Sequence, residues 1–117
     1  MQTIEVISIP VSDQQKSKEF YQKLGFEIIT ETNMGDGNTW LQLGIPGQAT
    51  TITLVTWFKK MPPGSLQGMV LRSVDIEKEV ADLRVKGISV EDIDNTPWGR
   101  FASFSDPDGN GFTLRQG

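Results

Sequence analysis

An α+β fold of two βαβββ units, their sheets curled around a shared cavity, is predicted by three features of the sequence. Apolar alternation and helical spacing succeed one another in the order strand, helix, strand, strand, strand, and that order occurs twice. In each half an Asp suited to cap a helix is followed twelve positions later by a Gly suited to end it, Asp13 with Gly25 and Asp75 with Gly87. A Pro- and Gly-rich stretch, Lys59 to Gln67, separates the halves. The 117 residues make one domain, 1–117, with a first unit over 1–58, a linker over 59–67 and a second unit over 68–117.

The elements follow in order. Ile4 to Val11 alternates, with Ile7, Ile9 and Val11 on one face, and reads as a strand. Ser12 and Asp13 supply N-cap types, and Ser17, Phe20, Tyr21 and Leu24 recur at helical spacing up to Gly25. Phe26 to Thr30 is a strand, Asn33 to Asn38 a turn, and Thr39 to Leu43 and Thr50 to Trp57 are two further strands. The second unit has strands at Gly68–Val74 and Ile88–Val90, with a helix between them that carries Ile76, Val80 and Leu83 inward. A loop over Asp92–Gly99, a strand over Arg100–Ser105, a turn at Asp106–Gly111 and a strand over Phe112–Arg115 complete it. Each helix covers the outer face of its sheet and leaves the inner face to a ligand.

Composition narrows the chemistry. With no Cys and no His, disulfides, thiolate and imidazole catalysis and His- or Cys-bound zinc are excluded, and only an all-oxygen metal site stays open. A net charge of −4 speaks against a nucleic-acid partner. No stretch approaches the roughly 20 apolar residues of a membrane span, and the first residues lack the pattern of a signal peptide, so a cytoplasmic protein with no membrane partner is expected.

Several segments carry a resemblance: Val11-Ser12-Asp13, Phe20-Tyr21 with Leu24-Gly25-Phe26, Val74-Asp75-Ile76, Leu83 with Lys86-Gly87-Ile88, Pro97-Trp98-Gly99-Arg100 and Asp106-Pro107-Asp108-Gly109-Asn110-Gly111. In this order they resemble the vicinal oxygen chelate superfamily, which holds glyoxalase I, the bleomycin-resistance proteins and the extradiol dioxygenases. The resemblance implies the glyoxalase/bleomycin-resistance fold, a ligand cavity and a homodimer. The family's enzymes place metal ligands on the first and last strands of each unit. Carried onto this chain, those positions are Val6, Thr53, Gly68 (or Met69) and Thr113, none of which is a ligand type for a catalytic metal. No metal and no cofactor are therefore expected.

Strand parity nominates the cavity wall. With the apolar partners turned to the core, Val6, Ser8, Pro10, Trp40, Gln42, Thr51, Thr53, Val55, Gly68, Val70, Arg72, Thr113 and Arg115 face inward. Trp40, Trp57, Trp98 and Phe101 are stacking candidates or core and interface fillers, and Phe20 and Tyr21 read as core. Arg72 is either an anchor for a ligand carboxylate or phosphate, or a side chain paired with a local acid or reaching solvent. The ligand-binding set is Ser8, Trp40, Gln42, Thr53, Arg72, Trp98, Phe101 and Thr113. Asp106 to Gly111 fits half a calcium loop, but the twelfth position is Gly117, so a hairpin turn accounts for it.

The function expected is metal-free sequestration of a small molecule in an aromatic-lined cavity. The alternatives are a glyoxalase-like lyase or isomerase or a dioxygenase-type enzyme, and an interaction module whose cavity is filled.

Overall fold

A computed structural model describes residues 1–117, and in it the two Asp–Gly frames bound two helices. Asp13 accepts hydrogen bonds from the amides of Gln15 and Lys16 and opens α1, Gln14–Lys23; Gly25 ends it at φ +106°. Asp75 accepts from Lys78 N and opens α2, Ile76–Val85, with Gly87 at φ +87° beyond it. The strands are β1 (Val6–Pro10), β2 (Glu27–Gly35), β3 (Asn38–Gly44), β4 (Thr51–Val55), β5 (Met69–Arg72), β6 (Asp94–Thr96), β7 (Gly99–Ser105) and β8 (Gly111–Gln116).

They form two four-stranded sheets with one topology, β1-β4-β3-β2 and β5-β8-β7-β6. In each, the first and last strands of the unit run parallel as neighbours and the helix is the crossover between the first two strands. The α+β architecture of two βαβββ units is therefore present.

Two local expectations change. β2 runs on to Gly35 because pairing with β3 carries it through the polar residues Glu31 to Met34, and the turn contracts to Asp36-Gly37. In the second unit Ile88–Val90 is not a strand. Both residues are buried, but only Val90 makes a bridge, to Phe104, and the strand of that unit is β6, inside the segment expected to be a loop. Arg84 limits the pairing: its guanidinium takes Val90 O and bonds Asp92, so contact with β7 stops at the Val90 bridge and the Glu91 N to Ser103 O bond, and pairing resumes at β6.

The core is one cluster of 17 residues drawn from both sheets and both helices. Ile9, Leu41, Leu43, Ile52 and Leu54 enter it from the first sheet; Ala102, Phe104, Phe112 and Leu114 enter from the second. Tyr21 sits at the join, edge-on to Phe26 of its own unit and to Phe112 of the other. Its hydroxyl donates to Asp106 Oδ2 at 2.7 Å. Asp106, also buried, accepts from the amides of Asp108 and Asn110 and from Asn110 Nδ2, and that side chain also donates to Pro10 O. The β7–β8 turn is thus tied at once to α1 and to the end of β1. Every oxygen of Asp106 is committed to these donors, which supports the turn over a calcium loop.

Burial first, then the hydrogen bond and negative charge of Asp106, push the Tyr21 pKa above the ordinary tyrosine value. Tyr21→Phe leaves a buried carboxylate short of a donor and is expected to cost about 1–3 kcal/mol in denaturant unfolding. A raised folded-state pKa contributes stability that is intact below about pH 10 and lost as pH rises above it. Tyr21 is the single tyrosine, so the rise in absorbance near 295 nm on phenol ionisation, over the constant tryptophan background, belongs to it alone. Phenolate is expected to appear with unfolding and not in the native protein near pH 10.

Candidate ligand-binding site

Alternation along each strand leaves a polar and aromatic face opposite the core face, one per sheet. On the first sheet, Ser8 lies beside Thr53 in the β1–β4 register. Trp40 Nε1 donates to Gln42 Oε1 at 3.1 Å, Gln42 Nε2 donates to Thr51 Oγ1 at 2.9 Å, and Thr51 Oγ1 donates to Glu5 O at 2.8 Å. The relay holds Gln42 in one orientation and engages the only donor of Trp40, whose remaining offer is its ring faces. Thr53 is fully buried and its hydroxyl donates to Leu41 O. Trp57 lies apart, half-buried against Phe58 and the Met61–Pro63 segment around a cavity of about 300 Å³.

On the second sheet two rows cross the strands. Val70, Thr113 and Ser103 form one, with the Ser103 and Thr113 hydroxyls 3.2 Å apart. Arg72, Arg115 and Phe101 form the other. The Arg115 guanidinium lies 6.0 Å from the Phe101 ring centre, and its Nη2 donates to Trp98 O at 2.9 Å. Trp98, at the tip of the β6–β7 hairpin, is 75% exposed. Arg72 is exposed and in no ion pair, so the local-acid pairing weighed from sequence is not formed.

The structure therefore gathers Ser8, Trp40, Gln42 and Thr53 on one sheet and Arg72, Phe101 and Thr113 on the other, with Trp98 at the latter's rim. It does not bring the two groups together. Both sheets turn their helix-bearing faces into the common core, so the opposite faces look away from each other. The two largest hollows of the single chain border only the second group. One of about 450 Å³ runs between the free edge of β5 and the first sheet, lined by Ile7, Ile52, Met69, Val70 and Arg72. Another, of about 620 Å³, takes in Ser89, Glu91, Ser103, Ser105 and Thr113 at the end of the second sheet. Strand parity points to only part of each lining, Val70 and Arg72 in one and Thr113 in the other, because the rest depends on how the two units pack.

The two acids with displaced pKa values belong to the helix-bearing side. Tyr21 is raised for the reasons above, and exposed Glu31 is lowered by hydrogen bonds from Gln15 and then Lys18 of α1.

The register gives the surroundings of the positions that correspond to the family's metal ligands. Val6 pairs with Thr51, and the neighbour of Thr53 is Ser8; Gly68 precedes β5, and the neighbour of Thr113 is Val70. Neutral hydroxyls beside an aliphatic group do not fit a catalytic zinc, nickel or iron ion. No group of three or more Asp or Glu is placed to hold a metal.

A family model described as "Glyoxalase/Bleomycin resistance protein/Dioxygenase superfamily" matches residues 3–114. TnmS3, an antibiotic binding protein from Streptomyces sp. CB03234, is 44% identical, with a TM-score of 0.93 over 99% of this chain and 96% of that one. A glyoxalase/bleomycin resistance protein from the same source is 45% identical, with a TM-score of 0.85 over 97% of this chain and 100% of that one. "Uncharacterized protein YetH" of Bacillus subtilis (strain 168) is 33% identical over 97% of each chain. No helix is long and apolar enough to cross a membrane.

Incubation with nickel or zinc followed by desalting is expected to leave well under one equivalent of metal per chain by elemental analysis. The melting temperature is expected to be the same with and without EDTA.

Proposed function

This chain belongs to the Glyoxalase/Bleomycin resistance protein/Dioxygenase superfamily, and from that premise we propose that it is a metal-free small-molecule-binding protein that sequesters its ligand in an aromatic-lined cavity. The observation that carries the reading is the chemistry of the positions that correspond to the family's metal ligands: Val6, Thr53, Gly68 (or Met69) and Thr113 offer no ligand set for a catalytic ion, and their register neighbours add none. The 44% identity to an antibiotic binding protein adds weight to binding over turnover. An antibiotic-like small molecule is the ligand class this favours.

The working cavity is formed between two copies. The polar face of one chain's first sheet meets the polar face of its partner's second sheet, in a symmetric dimer with two equivalent cups. The back-to-back placement of the two faces supports this, as do the uncovered edges of β1 and β5, which a second copy would cover. In such a cup Trp40 supplies a stacking surface, Gln42 a fixed amide, and Ser8 and Thr113 hydroxyls. Thr53, already bonded to backbone, acts as wall.

Light scattering on an eluting column peak is expected to give twice the chain mass at micromolar concentration. In a thermal-shift screen of small aromatic antibiotics, a ligand that binds only the folded dimer raises the melting temperature, and the rise grows with ligand concentration. Trp40→Ala is expected to abolish the shift with little change in the unliganded melting temperature. A monomer that responds to no compound would refute the reading.

A further inference from the structure

We infer that the ligand is an aromatic anion and that Arg72 and Arg115 are its anionic subsite; this rests on the cavity reading above and goes beyond it in naming the ligand's charge. The chain has four arginines and a net charge of −4, so carboxylate partners are plentiful. Arg84 pairs with Asp92 at 3.0 Å and Arg100 with Glu77 at 2.8 Å. The two arginines left out of every ion pair are the two that are register neighbours, Arg72 on β5 and Arg115 on β8.

Like charges side by side on one face of a sheet repel, and an anion between them removes the cost. Strand parity places both on the face that carries no helix, and Arg72, on the edge strand, also borders a hollow of about 310 Å³ with Glu79 and Asp82 of α2, paired with neither. The acid nearest in that row is Asp94, on the far edge strand beyond Phe101. Arg115 is held in place before any ligand arrives, by its bond to Trp98 O and by the Phe101 ring beneath it. The bond to Trp98 engages Nη2 and leaves Nη1 and Nε without a protein acceptor. Arg72, on the edge strand, also lines the apolar hollow with Ile7, Ile52 and Met69, so its charge borders apolar surface. Guanidinium pairs grip flat, two-oxygen anions, and the exposed Trp98 beside them favours a flat ring attached to such a group.

The test uses two probes with one scaffold, 8-anilinonaphthalene-1-sulfonate and uncharged N-phenyl-1-naphthylamine, titrated by fluorescence into the intact protein. Wild type is expected to bind both. Arg72→Gln and Arg115→Gln are each expected to weaken the sulfonate about tenfold while shifting the uncharged probe less than twofold. Arg72→Lys, which keeps the charge, is expected to recover part of the loss. Raising salt should weaken only the sulfonate, and less so in the Gln variants. Circular dichroism melts identify any variant that fails to fold, and the Lys variant and the salt series then stand in for it. Equal losses for both probes, or none for the sulfonate, would overturn the anionic subsite and leave the cavity standing. Binding of neither probe to wild type would overturn both.

Discussion

One buried contact sets the geometry on which the rest depends: Tyr21 of the first unit wedged against Phe112 and bonded to Asp106 of the second. An aromatic ring supplies apolar area and its hydroxyl satisfies a carboxylate that would otherwise be costly to bury. Because Tyr21 is on α1, the contact draws the helix-bearing side of one unit onto the helix-bearing side of the other. The two core faces merge and the two polar faces are turned outward.

The outward faces differ in character, and the difference bears on function. The first is largely self-satisfied: Trp40, Gln42, Thr51 and Thr53 spend their donors on one another and on backbone. Such a surface offers shape and ring area, with its polar atoms already oriented. The second keeps unspent charge in Arg72 and Arg115. Two dissimilar walls, one for stacking and one for charge, suit a single asymmetric ligand held between them. Neither wall has the oxygen or nitrogen cluster that a divalent ion needs. On the proposed binding reading, preorganisation of the wall matters more than any one bond.

Much of the fold was legible in the order of residues because its signals are local. Asp13 and Asp75 cap helices through amides two or three residues away, and Gly25 and Gly87 end them by conformational freedom. Alternation in β1, β3, β4 and β8 names the core face of each strand whatever the sheet does next. Ile88–Val90 misled for the complementary reason. Its apolar residues are buried, but whether a short buried segment joins a ladder was settled by Arg84, a residue on the preceding helix.

The local order of residues was enough for the two repeated units, the buried face of each strand, and the lack of metal-ligating residue types where the family's enzymes carry them. Long-range packing set the rest: Ser8 neighbours Thr53, Arg72 neighbours Arg115 in the β5–β8 register, and the two candidate walls are not brought together within one chain. Strand register and unit packing are set by contacts between residues as far apart as Tyr21 and Asp106, and a periodic pattern read along the chain holds no record of such pairs.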